Sequence, residues 1–255
     1  MLLTVQKIGP ALDLFTIARP EWRVSEVAEA LETPKSSAHA LLTTMAEIGL
    51  LERTAQRRYR LGWRLLVLGR TVMLSADYRT VVARTLRRTV ERWGETMHFG
   101  VHDRGGVVYI EKVEGRHSRP IPTQTGVRLP AHASAVGKVL LAHRDDDGAD
   151  DQRLACYTPH TINSRERLAD ELARVRATGI AFDRDEAVVG VWCAGAPIRA
   201  RDGHVVGAIS ISAARERFER HHAAYVGLVR EIAQSISRDL GAPEHAGALE
   251  LLEVA

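Results

Sequence analysis

The chain of 255 residues has only two cysteines, Cys156 and Cys193, and no apolar run approaching the about 20 residues that a membrane-spanning helix needs. Two cysteines cannot build a disulfide framework, which excludes a disulfide-rich secreted protein and fits a reducing cytoplasm. Residues 1–7 lack the basic start, apolar run and small-residue cleavage site of a signal peptide. We therefore expect a cytoplasmic chain with no membrane partner.

The composition is that of a globular protein, with 45% hydrophobic and 26% charged residues, and the length predicts two domains. The charge is divided unevenly along the chain. Residues 1–94 contain 15 Lys/Arg and 9 Asp/Glu, a net charge of +6, whereas residues 95–255 contain 20 and 23, a net charge of −3. A basic amino-terminal third indicates that one end of the chain meets a polyanion, although a solvated basic helix face would carry the same charge.

Residues 1–62 have the pattern of three helices followed by a short hairpin. Ser25 is a candidate N-cap for the second helix, and Thr33 is a candidate N-cap for the third. Gly49 can end the third helix in the left-handed conformation. Two short strands are predicted at residues 50–53 and 59–61. Together these elements predict a winged helix-turn-helix DNA-binding domain.

In such a domain the second helix of the motif enters the major groove of DNA, and its exposed face reads base edges. Small hydroxyls can approach bases or phosphates closely, and the N–H groups at the helix start can bind a phosphate. The predicted reading face consists of Lys35, Ser36, Ser37, His39, Ala40 and Thr43. The predicted wing contacts come from Arg53, Arg57, Arg58 and Arg60. The alternative is a helix-turn-helix used only for protein contact.

Residues 63–94 are predicted to form linker helices. The segment 63–74 is apolar on more than one side, which indicates a helix that is also buried in a subunit contact. The run after Asp77 has an apolar stripe with four arginines mostly outside it. These are Arg84, Arg87, Arg88 and Arg92. Their pattern favours a solvated face over a DNA site.

Residues 95–241 have the pattern of an α+β domain on an antiparallel sheet. Strand pairs joined by tight turns are predicted at 97–102 with 107–113 and at 189–198 with 204–213. Helices are predicted at 133–143, at 165–178 with Ser164 as N-cap, and from about Tyr225 to Leu240. We expect residues 242–255 to form a tail and the acidic run 145–151 to form a solvated loop.

Several segments of the chain resemble the IclR family of bacterial transcription regulators. In the amino-terminal region these are VSEVAEAL (24–31), PKSSAHALL (34–42), GLLER (49–53) and RYRLG (58–62). In the remainder they are GET (94–96), VYIEKV (108–113), LPAHASAVGK (129–138), GVWC (190–193), API (196–198) and SIS (210–212). The resemblance spans roughly residues 4–241. The chain departs from the family pattern at Ala40, where Arg is common, and at Trp192.

The resemblance implies a GAF-like carboxy-terminal domain that binds a small metabolite. The residues that match the family's pocket are Ala135, Val136, Asp183, Cys193, Ser210 and Ser212. The residues themselves agree with this implication, because Ser210 and Ser212 share one face of a strand and a helix start near Ala135 favours an anion. We therefore expect a small organic acid as effector. Serines on a strand face are also commonly solvated, and Cys193 alone is typical of a small buried residue.

Two other classes of function stay open at this point. The first is an enzyme with Cys193 as nucleophile and His132 or His98 as base, which would need a lowered thiol pKa. The second is a DNA-binding scaffold without a ligand. The sequence predicts no cofactor and no metal site. The preferred interpretation is a regulator that is not an enzyme and that pairs winged helices on a pseudo-palindromic operator as a homo-oligomer, a dimer or a dimer of dimers.

Overall fold

The computed structural model describes residues 3–75, 77–144 and 154–242, and its two compact units divide between residues 76 and 77. The predicted acidic loop 145–151 and the predicted tail beyond Ala242 lie outside the described residues. The first unit contains helices α1 Leu3–Gln6, α2 Ile8–Asp13, α3 Val24–Ala30, α4 Lys35–Glu47 and α5 Arg64–Ser75, with strands β1 Leu51–Arg53 and β2 Tyr59–Leu61.

The core of the first unit joins the helices to the hairpin. Leu42 and Met45 on α4 pack with Val27 on α3 and with Tyr59 on β2. Trp22 extends the hairpin by pairing with Tyr59, and its indole Nε1 donates to the Leu14 carbonyl oxygen at 2.9 Å. The helical spacing of α3 and α4 supplies one side of this core, and Ala11, Phe15, Trp22, Leu51 and Tyr59 complete it. The result is a helix-turn-helix with a two-stranded wing, as predicted.

Local details of the first unit differ from the prediction. The first helix is two short helices, α1 and α2. Helix α3 begins one residue before Ser25, and Glu26 accepts from the Arg23 N–H at 2.7 Å in place of a serine cap. Helix α4 begins at Lys35, and the Thr33 hydroxyl accepts from Lys7 Nζ rather than capping the helix. Gly49 has φ +77°, so the left-handed end of α4 is confirmed.

In a single chain, helix α5 exposes much of its apolar surface. Its most exposed apolar side chains are Leu66, Val67, Leu68 and Val72, and Trp63, just before the helix, is also exposed. Soluble proteins seldom leave such a contiguous apolar strip uncovered, so this surface is typical of a helix that another chain covers. The subunit contact itself stays a prediction.

The second unit is built around one six-stranded antiparallel sheet with strand order β5-β4-β3-β8-β7-β6. The strands are β3 Thr96–Asp103, β4 Gly106–Val113, β5 Arg128–Pro130, β6 Ala181–Arg184, β7 Val191–Arg199 and β8 Val205–Ala214. The helices are α6 Asp77–Trp93, α7 Ala135–Ala142, α8 Arg165–Thr178, α9 Arg215–Arg220 and α10 His222–Asp239. Among the described residues, no helix has the length and hydropathy to span a bilayer.

The two faces of this sheet are covered differently. On one face, Val82 of α6 and Val229 of α10 pack on Phe99, Ile209 and Ile211 of the central strands. On the other face, the second core cluster joins α7 and α8 to the sheet. Strand residues alternate between the faces, so the polar residues between these isoleucines point toward α7. The sheet therefore carries one apolar core on its first face, and on its second face a polar layer beside a smaller apolar cluster.

The second unit also corrects parts of the sequence prediction. The helix expected at 133–143 begins at Ala135, because Ser134 is its N-cap and Ala131–Ala133 forms a separate 3₁₀ turn. Strands β5 and β6 and helix α9 were not predicted. Ser164 does cap α8, and Gly179 ends that helix with φ +70°.

Candidate functional site

The exposed face of α4 carries most of the predicted DNA-reading residues. Lys35, Ser36, Ser37, His39 and Ala40 are all exposed. No side chain caps the start of α4, so its first N–H groups are free to donate hydrogen bonds to an outside acceptor such as a phosphate. Thr43 differs from the others, because it is half-buried and its hydroxyl lies 3.4 Å from the Tyr59 hydroxyl.

The four wing arginines have unequal surroundings. Arg58 Nη1 lies 3.6 Å from a Glu26 carboxylate oxygen, and Arg60 donates to Glu52 from both Nε and Nη2 at 3.1 and 2.9 Å. Arg57 is exposed at the tip of the wing with φ +57°. Neither Arg53 nor Arg57 forms an ion pair with another described residue. The register of the hairpin places Glu52 directly opposite Arg60. Opposite charges at facing positions of two predicted strands were thus the sequence signal for the Arg60–Glu52 ion pair.

The predicted effector residues of the sheet meet on its polar face. Asp183 pairs with Cys193 across β6 and β7, and Cys193 pairs with Ser212 across β7 and β8. Ser210 lies two residues before Ser212, on the same face, and pairs with Gly195. Asp183, Ser210 and Ser212 are buried, and Cys193 is partly buried. The strand register therefore brings together four residues from three neighbouring strands.

Helix α7 begins directly above this polar face. A Cβ atom on Gly195 would lie 3.0 Å from the Ala135 carbonyl carbon, so the glycine lets the helix start approach the strand. Ser134 accepts from the Gly137 N–H at 3.0 Å, which leaves the N–H groups of Ala135 and Val136 without a partner in the described chain. These two amides give the site a partial positive charge that suits an anion.

Burial changes the acid–base properties of the site. It raises the pKa of Asp183 to about 7, and the hydrogen bond that Asp183 accepts from the Glu186 N–H at 2.8 Å only partly offsets this. Burial, with the nearby Asp183 carboxyl group, also raises the pKa of the Cys193 thiol well above its usual value. The thiol is therefore protonated at neutral pH, and its Sγ donates to Asp183 Oδ2 at 3.9 Å.

The polar face contains residues that the sequence analysis missed or assigned to another role. His98 is buried, its Nδ1 lies 3.4 Å from the Ser212 hydroxyl and its Nε2 lies 2.8 Å from the Thr123 hydroxyl. Burial lowers the pKa of His98 to about 3, so the ring is neutral. The Tyr109 ring packs edge-on against the His98 ring, with 5.3 Å between the ring centroids. Strand alternation from Thr96 was the signal that placed His98 on this face.

A buried ion pair ties α7 to the loop after Asp183. Lys138 Nζ donates to Glu186 Oε1 at 2.6 Å and lies 3.6 Å from a Glu171 oxygen, and the Lys138 side chain is fully buried. Thr158 and Thr161 hydroxyls donate to the carbonyl oxygens of Asp185 and Glu186, each at 2.6 Å. These buried polar contacts join both walls of the site, and among the described residues Glu186 Oε2 is the one oxygen of this group that is buried without a hydrogen-bond partner.

The geometry does not support a cysteine nucleophile. A nucleophilic thiol needs a lowered pKa and a base within hydrogen-bond reach, whereas the Cys193 pKa is raised. The His132 Nε2 atom lies 2.9 Å from the Ala155 carbonyl oxygen, and both nitrogens of His98 face hydroxyl groups. No cluster of three or more metal-ligating side chains occurs within residues 3–75, 77–144 and 154–242.

Comparison with known proteins matches the two parts of the chain to two family models. A family model described as the bacterial transcriptional regulator IclR C-terminal domain matches residues 70–238. A model of the IclR helix-turn-helix domain matches residues 4–55. The HTH-type transcriptional regulator XynR of Escherichia coli (strain K12) is 31% identical over 249 residues, which cover 95% of this chain and 99% of XynR.

Two solved structures extend the likeness to the three-dimensional fold. The crystal structure of the Thermotoga maritima IclR has a TM-score of 0.65 and 31% identity, and the match covers 94% of this chain and 100% of that one. An IclR homolog from Microbacterium hydrocarbonoxydans, solved in complex with 4-hydroxybenzoate, has a TM-score of 0.75 and 25% identity over 93% and 98% of the two chains. The predicted fold class is confirmed, and the relatives are regulators rather than enzymes. The chain belongs to the IclR family of transcription regulators, which join a DNA-binding helix-turn-helix to an effector-binding domain.

Proposed function

We propose that this regulator binds operator DNA with α4 and the wing, and that a small organic acid binds on the polar face beneath α7. The observation that carries the effector half is the convergence of Asp183, Cys193, Ser210 and Ser212 below the free N–H groups at the start of α7. Hydroxyl and carboxyl groups on one wall and main-chain donors on another suit a carboxylate that also carries a hydroxyl or oxo group.

The DNA half rests on the exposed face of α4. We infer that Lys35, Ser36, Ser37, His39 and Ala40 face the major groove, with Thr43 at its edge. The wing contributes phosphate contacts from Arg53 and Arg57, and Arg58 and Arg60 contribute after exchanging their carboxylate partners for phosphates. Phosphate contacts set position on the duplex, whereas α4 supplies the sequence preference.

The class of effector follows from the protonation of Asp183. A carboxyl group whose pKa lies at about 7 can donate its proton to an effector oxygen, which a fully ionised aspartate cannot do. A second carboxylate on the effector would lie near the partly ionised Asp183, whose negative charge would repel it. A related regulator in complex with 4-hydroxybenzoate, a hydroxylated monocarboxylate, supports this class.

We further propose that the regulator works as a homo-oligomer, a dimer or a dimer of dimers. The exposed apolar strip on α5 supports a subunit contact there, in line with linker helices over residues 63–94 between a DNA-binding domain at 1–62 and an effector domain at 95–241. Two-fold pairing of winged helices would match a pseudo-palindromic operator. Binding to the operator requires the protein to act in the cytoplasm.

The test of the effector class is a thermal-shift screen of the full chain. The panel contains hydroxy- and oxo-monocarboxylates, including 4-hydroxybenzoate, with the matching dicarboxylates and the uncharged amides as controls. We expect at least one monocarboxylate to raise the melting temperature and to change the affinity for a duplex from the protein's own promoter region. A response to the amides and not to the acids would contradict the proposed role of the α7 amides.

A second measurement separates this proposal from a cysteine enzyme. An iodoacetamide probe should label Cys193 slowly in the native protein, because the thiol is protonated and partly buried. Cys156 is exposed and serves as the internal reference for the rate. Labelling of Cys193 faster than Cys156 would contradict the sensor interpretation.

A further inference from the structure

The exposed face of α6 carries a row of arginines that the proposed function does not use. Arg84, Arg88 and Arg92 follow one another at intervals of four residues, and all three are exposed. At 1.5 Å per residue, the intervals place successive members about 6 Å apart along the helix axis. The row therefore presents three like charges along about 12 Å of one helix.

These three arginines form no ion pair with another residue described in the chain, so no internal contact accounts for their charge. Arg79 and Arg87, on the same helix, are bound to Glu111 of β4 at 3.3 and 3.5 Å. Within the described chain, by contrast, Arg84, Arg88 and Arg92 take part in no ion pair and no side-chain hydrogen bond. Like charges four residues apart on a helix repel each other, and Glu91, three positions after Arg88, is the one acidic residue of α6 at a spacing that could offset this repulsion.

The sequence pattern alone favoured a solvated face here, and the structure adds two observations against that interpretation. A groove of about 500 Å³ lies beside Arg84 and Arg88 of the row. Its lining also includes Arg79 and Arg87, which bind Glu111, and one acidic residue, Glu91. The rest of this unit, from residue 95 onward, carries a net charge of −3, so the row is not part of a generally basic surface. A local basic groove on an acidic unit is typical of an anion-binding surface.

We propose that Arg84, Arg88 and Arg92 form a second DNA-contacting surface, which binds phosphates of duplex flanking the operator without reading sequence. The arginine fork matches phosphate geometry, and duplex DNA offers one negative charge per about 1.7 Å of its axis, enough for every member of the row. This proposal rests on DNA binding by the first unit. Both surfaces belong to one chain, in which Ser75 ends α5 and Asp77 begins α6, so DNA that is held by the first unit stays tethered to the second.

The test compares two triple variants of the full chain. Arg84→Gln, Arg88→Gln and Arg92→Gln remove the row. Arg220→Gln, Arg230→Gln and Arg238→Gln remove the same charge from exposed positions on α9 and α10. Binding is measured by fluorescence anisotropy on a random-sequence duplex of about 60 base pairs over a range of KCl concentrations, since phosphate contacts need no operator.

We expect loss of the row to make the slope of log affinity against log salt less steep by about 2.7 per chain, with the control triple unchanged. An unchanged slope for the row variant, or an equal change in both triples, would overturn the proposal. So would an altered sedimentation coefficient with an unchanged slope, because the row would then bind an acidic protein surface of another copy.

Two further measurements keep the result interpretable. The row variant should keep its helical circular dichroism and melt at the same or a higher temperature, because the substitutions remove repulsion within α6. Arg57→Ala should reduce the salt slope whether or not the row contacts DNA. If Arg57→Ala acts and the row variant does not, the winged-helix proposal stands and the second surface is wrong.

Discussion

The residues proposed to recognise the operator lie mostly exposed on α4 and the wing of the first unit, whereas those proposed to bind the effector lie mostly buried on the sheet and at the start of α7 in the second. In the first unit, function depends on which charges are left without an internal partner, as Arg57 and Arg58 illustrate. In the second, it depends on strand register, which aligns Asp183, Cys193 and Ser212. Exposed and buried sites should therefore respond differently to substitution.

The largest effect is expected from removing the buried hydroxyls. Ser210→Ala with Ser212→Ala should abolish the shift in melting temperature and in DNA affinity caused by any carboxylate that acts on the parent protein. Operator affinity without effector should stay intact, because the reading face of α4 lies in the other unit. Ser235→Ala on α10 is the matched control. A normal response in the double variant would move the effector site elsewhere.

The next effect concerns pH and stability. Burial raises the Asp183 pKa to about 7, whereas an aspartate in the unfolded chain titrates near 3.9, so the native state holds this proton more tightly. As the pH rises from about 4 to about 7, the free energy of unfolding of the parent protein should fall relative to that of Asp183→Asn, by on the order of 4 kcal/mol in total.

Urea unfolding of the parent and of Asp183→Asn at about pH 5 and about pH 8 measures this difference. The free energy of unfolding of the variant should increase relative to that of the parent as the pH rises. A gap that is the same at both pH values would mean that Asp183 is ionised throughout, and that it cannot donate a proton to an effector.

A smaller effect is expected on the wing. Arg57→Ala should weaken binding to all duplex sequences and reduce the salt slope by about 0.9, because one phosphate contact is lost. Arg58→Ala should weaken binding less, since its guanidinium group already pairs with Glu26, and should cost at most about 1 kcal/mol of stability. Anisotropy titrations and thermal melts of both variants check this order. Equal losses of affinity would show that internal pairing does not determine the contribution of a wing arginine.

The smallest effect is expected at Thr123, whose hydroxyl meets the His98 ring across the polar face. Thr123→Val leaves a buried ring nitrogen without its partner, at a cost of about 1 kcal/mol. Hydrogen exchange should then quicken around residue 123 and not in α10. Thr125→Val, at an exposed position nearby, is the control. Unchanged exchange would mean that this contact does not hold the segment in place.

Sequence periodicity predicted much of this fold. The helical stripe of α4 and the alternation of Ser210 and Ser212 with Ile209 and Ile211 each follow from local geometry, and the structure places them as predicted. Strands β5 and β6 have only three and four residues, too few to display alternation. Their place in the sheet is set by pairing with distant strands, which no local pattern contains.

The sequence predicted which residues belong to the candidate site, but it did not predict their pKa values or ion pairs. Family motifs supplied Asp183 and Cys193, but the raised pKa values of both depend on how deeply the folded sheet buries them. The same limit applies to Lys138, because a lysine in an apolar helix segment gives no sign of the Glu186 partner 48 positions later. Ion pairs between distant segments require the tertiary fold.

The start of α7 has a genetic consequence. An amide N–H at Ala135 or Val136 survives every codon change except one to proline, so mutagenesis of these positions would leave the donors themselves in place. The serine hydroxyls across the gap can be erased by almost any missense change. If the effector binds here, spontaneous mutants that no longer respond to it should therefore carry more substitutions at Ser210 and Ser212 on β8 than at Ala135 and Val136.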